Sequence, residues 1–348
     1  MEGHSASAPA TAVAMAGSSM STTDSGDTSA GVFYLLDELS GHRCHDFCQR
    51  LHKDGYAIVR LPEAEFDELR ALAREFFALP EDQKRAVTGE SDAVGGEGVG
   101  YRDKSEADSE FLETFLTPAG DAHPEIPGRQ LAAAIAHVHH RLLDIARILL
   151  RVCATHVRLP PEAMFEALAT WAKPSSSVDV SEDAMAATSQ EAFGSTLLRL
   201  CHYRGAQAAA VEADPAVLFL PHTDSTLLTL SPLDPTAPGL QLRRETDGGW
   251  FDVECLHGVS TRDIEVHCGD YLSILSRGYY FAMRHRVVRP AHGGPRISLP
   301  LLLRPRDEWR RNRGWLPYTE VEDSSSEEED TEEAQATEEA IAAKQKGQ

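Results

Sequence analysis

The chain has 348 residues, 42% hydrophobic and 25% charged, which is an ordinary globular balance with room for one large domain or two small ones. Its 55 acidic and 33 basic side chains give a formal net charge of −22, a surface that repels phosphate backbones and argues against a nucleic-acid partner. No uninterrupted apolar run reaches the roughly 18 residues a bilayer span needs, so no membrane association is expected.

Residues 1–30 are rich in Ala, Ser, Thr and Gly, and the first basic residue is Arg43. A secretory signal needs a positive start and a mitochondrial presequence needs Arg, so this segment reads as a flexible leader and the cytosol as the expected location. Cys44, Cys48 and His52 recur every four residues, as metal ligands on one helix face would. Phe47 and Leu51 complete the same stripe, however, and the bland reading of a buried helix face is preferred. All six cysteines (Cys44, Cys48, Cys153, Cys201, Cys255, Cys268) lack CxxC spacing and are expected as free thiols in a reducing compartment.

Gly55–Leu61 has the content of a short strand, which Pro62 stops. Between Glu63 and Leu79, Phe66, Leu69, Leu72, Ala73 and Phe76 fall at helical spacing. Gly89–Gly100 is glycine-rich, but no Gly-Lys-Ser/Thr follows, so it reads as a loop or lid and not a phosphate cradle. The longest helical pattern is Leu131–Val157, with Leu131, Ile135, Val138, Leu142, Ile145, Leu149 and Val152. His137, His139 and His140 lie within it, have no carboxylate at ligand spacing, and are expected at the surface. Pro160-Pro161 ends that helix, and a Ser/Ala/Asp-rich stretch from Pro174 reads as a linker or insertion.

After Thr196 the pattern becomes short β-rich runs: 196–203, 217–220, 226–231, 239–242, 250–253, 264–267, 271–275, 285–288 and 296–303. Turn residues such as Asp247-Gly248-Gly249 separate them. Many short strands at close spacing imply an antiparallel sandwich or jelly roll. The last stretch, Val321–Gln348, holds ten carboxylates against Lys344 and Lys346 and reads as a solvated, disordered tail.

One constellation within the strands carries chemistry. Strand alternation sends His222 and Asp224 to the same side, and His285 begins a later strand that can return beside them. Two imidazoles and one carboxylate can occupy one face of an octahedral Fe(II), leaving three positions open. Arg296 and Ser298 follow, and a guanidinium fork suits the far carboxylate of a 2-oxo acid. A His-x-Asp pair alone is cheap and more often caps a strand; the neighbourhood changes that. His267 in a strand reads as packing, His257 as a loop residue, and His292 as too close to Arg296 to reach the metal.

The run Phe219-Leu-Pro-His222-Thr-Asp224-Ser-Thr-Leu-Leu-Thr-Leu230 resembles the iron-ligand strand of the 2-oxoglutarate/Fe(II) dioxygenases of the isopenicillin N synthase type. Gly239-Leu-Gln-Leu242, Gly249-Trp250, Gly269-Asp-Tyr-Leu272, Ser276-x-Gly278-x-Tyr280, His285-Arg-Val-Val288 and Arg296-Ile-Ser-Leu-Pro300 follow in the family's order. The resemblance is dense from Leu197 to Pro305. It extends more loosely to Gly55–Val59, Tyr101 and Phe111–Phe115. Departures include Cys201 where the family often has Asn, Arg204-Gly205 for a Pro-Pro pair, and Ser276-Arg277-Gly278 for Ser-Asn-Gly. They bear on substrate identity and leave the iron ligands untouched.

The resemblance implies an α+β fold with a double-stranded β-helix (jelly-roll) core, N-terminal and supporting helices, and disordered ends. The parts expected are a leader (1–30), an N-terminal helical and strand part (31–173), a linker (174–195), the jelly roll (196–317) and the acidic tail (318–348). His222, Asp224 and His285 match the iron ligands, Arg296 and Ser298 the oxoglutarate clamp, and Tyr203 a tyrosine that helps bind the oxo acid. The implied cofactors are Fe(II), 2-oxoglutarate as co-substrate, and ascorbate. The implied partners are dioxygen and a small-molecule substrate that is hydroxylated, desaturated or cyclised by a monomer. Two alternatives stay open: an oxidase of the same fold that uses no oxoglutarate, and a non-catalytic relative acting as a binding protein.

Overall fold

The computed structural model describes residues 32–41, 43–88, 99–104, 108–116, 120–159, 196–205, 217–290 and 293–305. The expected leader, the linker at 174–195, the acidic tail, His292 and most of the glycine-rich loop lie outside these.

Helix α1 (Cys44–Asp54) buries Phe47, Cys48 and Leu51, as its apolar stripe requires. It stops at Gly55, whose φ of 73° is left-handed and costs glycine nothing. That close turn feeds β2 (Tyr56–Arg60), which pairs in parallel with β1 (Phe33–Leu35). Helix α2 (Asp67–Phe77) starts four residues after Glu63, where the expected segment began, with Asp67 and Glu68 at its positive end. A short α3 (Glu81–Arg85) leads to the hairpin of β3 (Gly100–Lys104) and β4 (Ser109–Leu116), and β4 also carries β5 (Ala122–His123).

The long helix α4 (Arg129–His156) spans 28 residues and lays Ile135, Leu142, Ala146, Leu149 and Cys153 into the main core. Among its three histidines, His137 and His140 are exposed, but His139 is 1% exposed, which corrects the expectation of a surface residue. The reason is rotational. His139 stands four residues after Ile135 and three before Leu142, and so lies on the buried stripe.

The remaining strands are β6 (Leu197–Tyr203), β7 (Val217–His222), β8 (Leu228–Pro232), β9 (Leu240–Arg243), β10 (Trp250–Asp252), β11 (Asp263–Cys268), β12 (His285–Val288), β13 (Arg296–Ser298) and β14 (Leu301–Leu303). The run Tyr271–Leu275, expected as a strand, is instead helix α5 (Asp270–Leu275). A five-residue apolar run does not distinguish the two by period. Here Asp270 occupies the first turn, Ser273 N and Ser276 N bond back to Gly269 O and Leu272 O, and Leu272 is buried.

Two sheets face each other in the jelly-roll manner. The larger runs β1-β2-β11-β8-β14-β6-β4-β3, with β13 also on β6 and β5 on β4; the smaller runs β10-β9-β12-β7. Strands from the N-terminal half thus complete the same sheet as β6, β8, β11 and β14. The helices α1, α2 and α4 cover its outer face through the largest apolar cluster, leaving its inner face to the smaller sheet. None of the described helices is long and apolar enough to cross a membrane.

Candidate metal centre

His222 ends β7 and His285 begins β12, and the two are direct partners across that antiparallel ladder. Their rings are 4.2 Å apart between centroids. Asp224 lies two residues beyond the end of β7, in a turn held by its own backbone carbonyl, which accepts from Thr226 N at 2.8 Å and Asp270 N at 2.9 Å. His222 Nε2 is 3.5 Å from Asp224 Oδ1, and His285 Nε2 is 3.8 Å from Asp224 Oδ2. One ligand atom from each of the three lies within 4.8 Å of the others.

The protonation states suit a metal as well. His222 Nδ1 is 2.8 Å from Leu220 O and His285 Nδ1 is 3.1 Å from Met283 O. A carbonyl only accepts, so in a neutral imidazole the proton sits on Nδ1 and Nε2 is the nitrogen that presents a lone pair. Burial pushes His285 down to about 3, keeping it neutral. Burial alone would raise Asp224, but the three histidines facing it, the charged His267 among them, outweigh that and hold the carboxyl well below its usual range. Neutral imidazoles and an ionised carboxylate are the forms that bind metal, and this donor set fits Fe(II).

The cavity at the triad runs to β6 and β13. In their antiparallel register Arg296 stands opposite Tyr203 and Ser298 opposite Cys201, and all four side chains line the cavity. The structure therefore brings Arg296, Ser298 and Tyr203 together with His222, Asp224 and His285. Burial raises both the Cys201 thiol and the Tyr203 phenol.

Arg296 is 3% exposed, and its Nη1 donates to Ala237 O at 2.6 Å and Glu254 Oε1 at 2.9 Å. Its Nε is buried with no partner among the described residues. Burial would lower the Arg296 guanidinium, but Glu254 raises it.

Sequence reasoning missed three residues. Glu254, fully buried, accepts from the amides of Asp234, Gly239 and Leu240 besides Arg296. Arg199 lines the cavity and holds Glu113 through Nε at 2.7 Å and Nη2 at 2.6 Å. Its shared parity with Cys201 and Tyr203 on β6 was the available signal. His267, expected as packing, is buried but places Nε2 3.2 Å from Asp224 Oδ2. Burial would lower His267, yet Glu265 and Asp224 raise it to about 10. His257 is exposed on a loop, as expected.

Comparison with known proteins agrees with this geometry. Residues 195–305 match the family model of the 2OG-Fe(II) oxygenase superfamily. The chain is 32% identical over 104 residues to 1-aminocyclopropane-1-carboxylate oxidase homolog 12 of Arabidopsis thaliana, a stretch covering 30% of this chain but 25% of that relative. It is 25% identical over 272 residues to flavonol synthase 1 of Crocosmia x crocosmiiflora, covering 76% and 71% of the two chains. Among solved structures, a 2OG-Fe(II) oxygenase family protein from Caulobacter crescentus superposes with a TM-score of 0.57 at 21% identity, over 80% of this chain and 88% of that one. The rice dioxygenase for auxin oxidation superposes with a TM-score of 0.56 at 19% identity, over 80% and 84%. At those identities the structural likeness speaks for the fold.

Proposed function

We propose that this chain, whose residues 195–305 match the 2OG-Fe(II) oxygenase superfamily, couples oxidative decarboxylation of 2-oxoglutarate to succinate with oxidation of a small organic substrate. The observation that carries this reading is a single cavity joining His222, Asp224 and His285 to Arg296 and Ser298. Iron, when bound by the three ligands, supplies the redox chemistry that activates dioxygen. The protein's own part is positioning. Leu220 O and Met283 O fix the imidazole tautomers, and Arg296 and Ser298 offer donors for the distal carboxylate of the oxo acid, with Tyr203 opposite Arg296. Phe111, Phe219, Val287 and Leu302 give the cavity apolar walls that exclude water. The name of one similar protein, a flavonol synthase, supports a small organic substrate. Hydroxylation, desaturation and ring closure all remain within this reading.

One observation favours a second reading, an oxidase of the same fold that needs no oxo acid: the Arg296 charge is already compensated by Glu254. Succinate formation separates the two. Anaerobically loaded with Fe(II) and then given oxygen and 2-oxoglutarate, the protein is expected to release succinate, faster with a matching substrate. Substrate oxidation without oxoglutarate dependence would support the oxidase.

A further inference from the structure

Glu265 and His267 have no part in the chemistry proposed above, yet both are closed to solvent, at 0% and 1% exposure. They stand at i and i+2 on β11, between β2 and β8, and so point to the same face. Both carboxylate oxygens of Glu265 lie 3.0 Å from His267 Nδ1. The opposite nitrogen, His267 Nε2, is 3.2 Å from Asp224 Oδ2. Thr229, the direct cross-strand partner of His267 on β8, donates its hydroxyl to the same Oδ2 at 2.6 Å. Thr229 Oγ1 is itself 3.1 Å from Thr226 Oγ1.

A carboxylate oxygen accepts about two strong hydrogen bonds, so these two donors occupy Asp224 Oδ2. Among the described residues Oδ1 has no such donor and faces His222 Nε2 at 3.5 Å, while His285 Nε2 lies 3.8 Å from Oδ2. A buried carboxylate such as Glu265 is expensive to ionise unless paired, and His267 is its partner. The same arrangement orients the imidazole toward Asp224, as buried partners of metal ligands commonly do.

We propose that Glu265 and His267, together with Thr229, form a positioning relay that holds Asp224 as a one-oxygen ligand. With Oδ2 tied back, the carboxylate cannot swing to bind through both oxygens. The coordination position that a bidentate carboxylate would take stays open for a chelating co-substrate. His267 and Thr229 are positioning residues, and neither touches a reacting atom. The inference rests on the metal-centre reading above.

The test is Fe(II) affinity, measured without oxygen by competition with a chromophoric chelator. It is paired with the absorption spectrum of the Co(II)-loaded protein, which reports coordination number. His267→Leu is expected to weaken Fe(II) binding about 10- to 100-fold and to change the Co(II) spectrum. His267→Gln keeps a donor and is expected to stay within a few-fold of the parent. Thr229→Val should shift affinity in the same direction as His267→Leu, and Thr229→Ser should not; this pair decides the matter if His267→Leu does not fold. Unchanged affinity and spectrum in a folded His267→Leu or Thr229→Val protein would overturn the relay. So would equal losses in the Leu and Gln variants that track the melting temperature alone. A parent protein that binds no Fe(II) is a different failure, that of the metal-centre reading itself.

Discussion

Arg296 and Glu254 form an ion pair inside the fold, 2.9 Å between Nη1 and Oε1, although 42 residues separate them. The pair ties the loop before β9 to β13, because Glu254 also accepts the amides of Gly239 and Leu240. Arg296 therefore serves the fold as well as the cavity. Arg296→Ala should cost about 3–5 kcal/mol of stability by leaving a buried carboxylate unpaired. Arg296→Lys keeps the charge without the fork, and is the sharper probe of ligand binding. It should raise the oxoglutarate concentration for half-maximal turnover about tenfold or more with Fe(II) affinity little changed, a cost of about 1.4 kcal/mol or more. Titrating succinate release against oxoglutarate in the two proteins checks this.

The ligand assignment makes its own demand. His222 is partly exposed and its neighbours survive truncation, so His222→Ala should weaken Fe(II) binding by more than about 100-fold with a near-parental melting temperature. Asp224→Ala should lose metal too, but with a lower melting temperature, since Thr229 and His267 lose their acceptor. Chelator competition and thermal melts of the two variants separate these effects. Parental iron affinity in either would exclude that residue as a ligand.

Burial in α4 pushes His139 down to about 3, and its Nδ1 has no partner among the described residues. In the unfolded chain an unhindered histidine titrates near 6.5. As pH falls through the interval between these values the unfolded state takes up a proton that the folded state refuses. Stability is thus fully present above about 6.5 and drains away toward 3, by up to about 1.4 kcal/mol per pH unit. His139→Leu should flatten that slope. Chemical denaturation of both proteins at pH 7 and pH 5 measures it, and parallel slopes would remove His139 from the account.

Glu110 is the hub of a second buried cluster. It accepts from Lys84 Nζ, from Tyr101 OH at 2.6 Å and from His202 Nδ1 at 2.8 Å. Burial would raise the carboxyl, but His202, Lys84 and Tyr101 outweigh it and bring it to about 2. Its ionised form therefore stabilises the fold above the ordinary carboxylate value, and that contribution is lost as pH falls toward 2. Lys84→Met should cost about 3–5 kcal/mol near neutrality. The gap to the parent should narrow in acid, which urea titrations at pH 7 and pH 4 can show.

The metal ligands were legible in the sequence because their spacing obeys a short-range rule. His222 and Asp224 are two residues apart, and the blocks around them follow a recognisable order. Long-range buried pairs were not legible. Glu254 finds Arg296, and His267 finds Asp224, only after the sheets are assembled, and nothing local in Asp252-Val-Glu254-Cys or Glu265-Val-His267-Cys states the partner. Asp270–Leu275 failed for another reason, since so short an apolar run fits either period. His139 could have been placed correctly, because its offset from Ile135 and Leu142 already put it on the buried stripe.

The strand that delivers His222 lies at the border of its sheet, bonded to β12 alone among the described strands. Val217 and Leu220 on it are 40% and 63% exposed. An exposed, apolar strand border is a template for another chain, and a metal ion held by His222, Asp224 and His285 would pin β7 to β12 at one end and so limit fraying of that border. Loss of iron should then show first as self-association, with freshly chelated protein turning cloudy on standing while reloaded protein stays clear. Handling of the purified chain would accordingly depend on metal occupancy well before any assay is run.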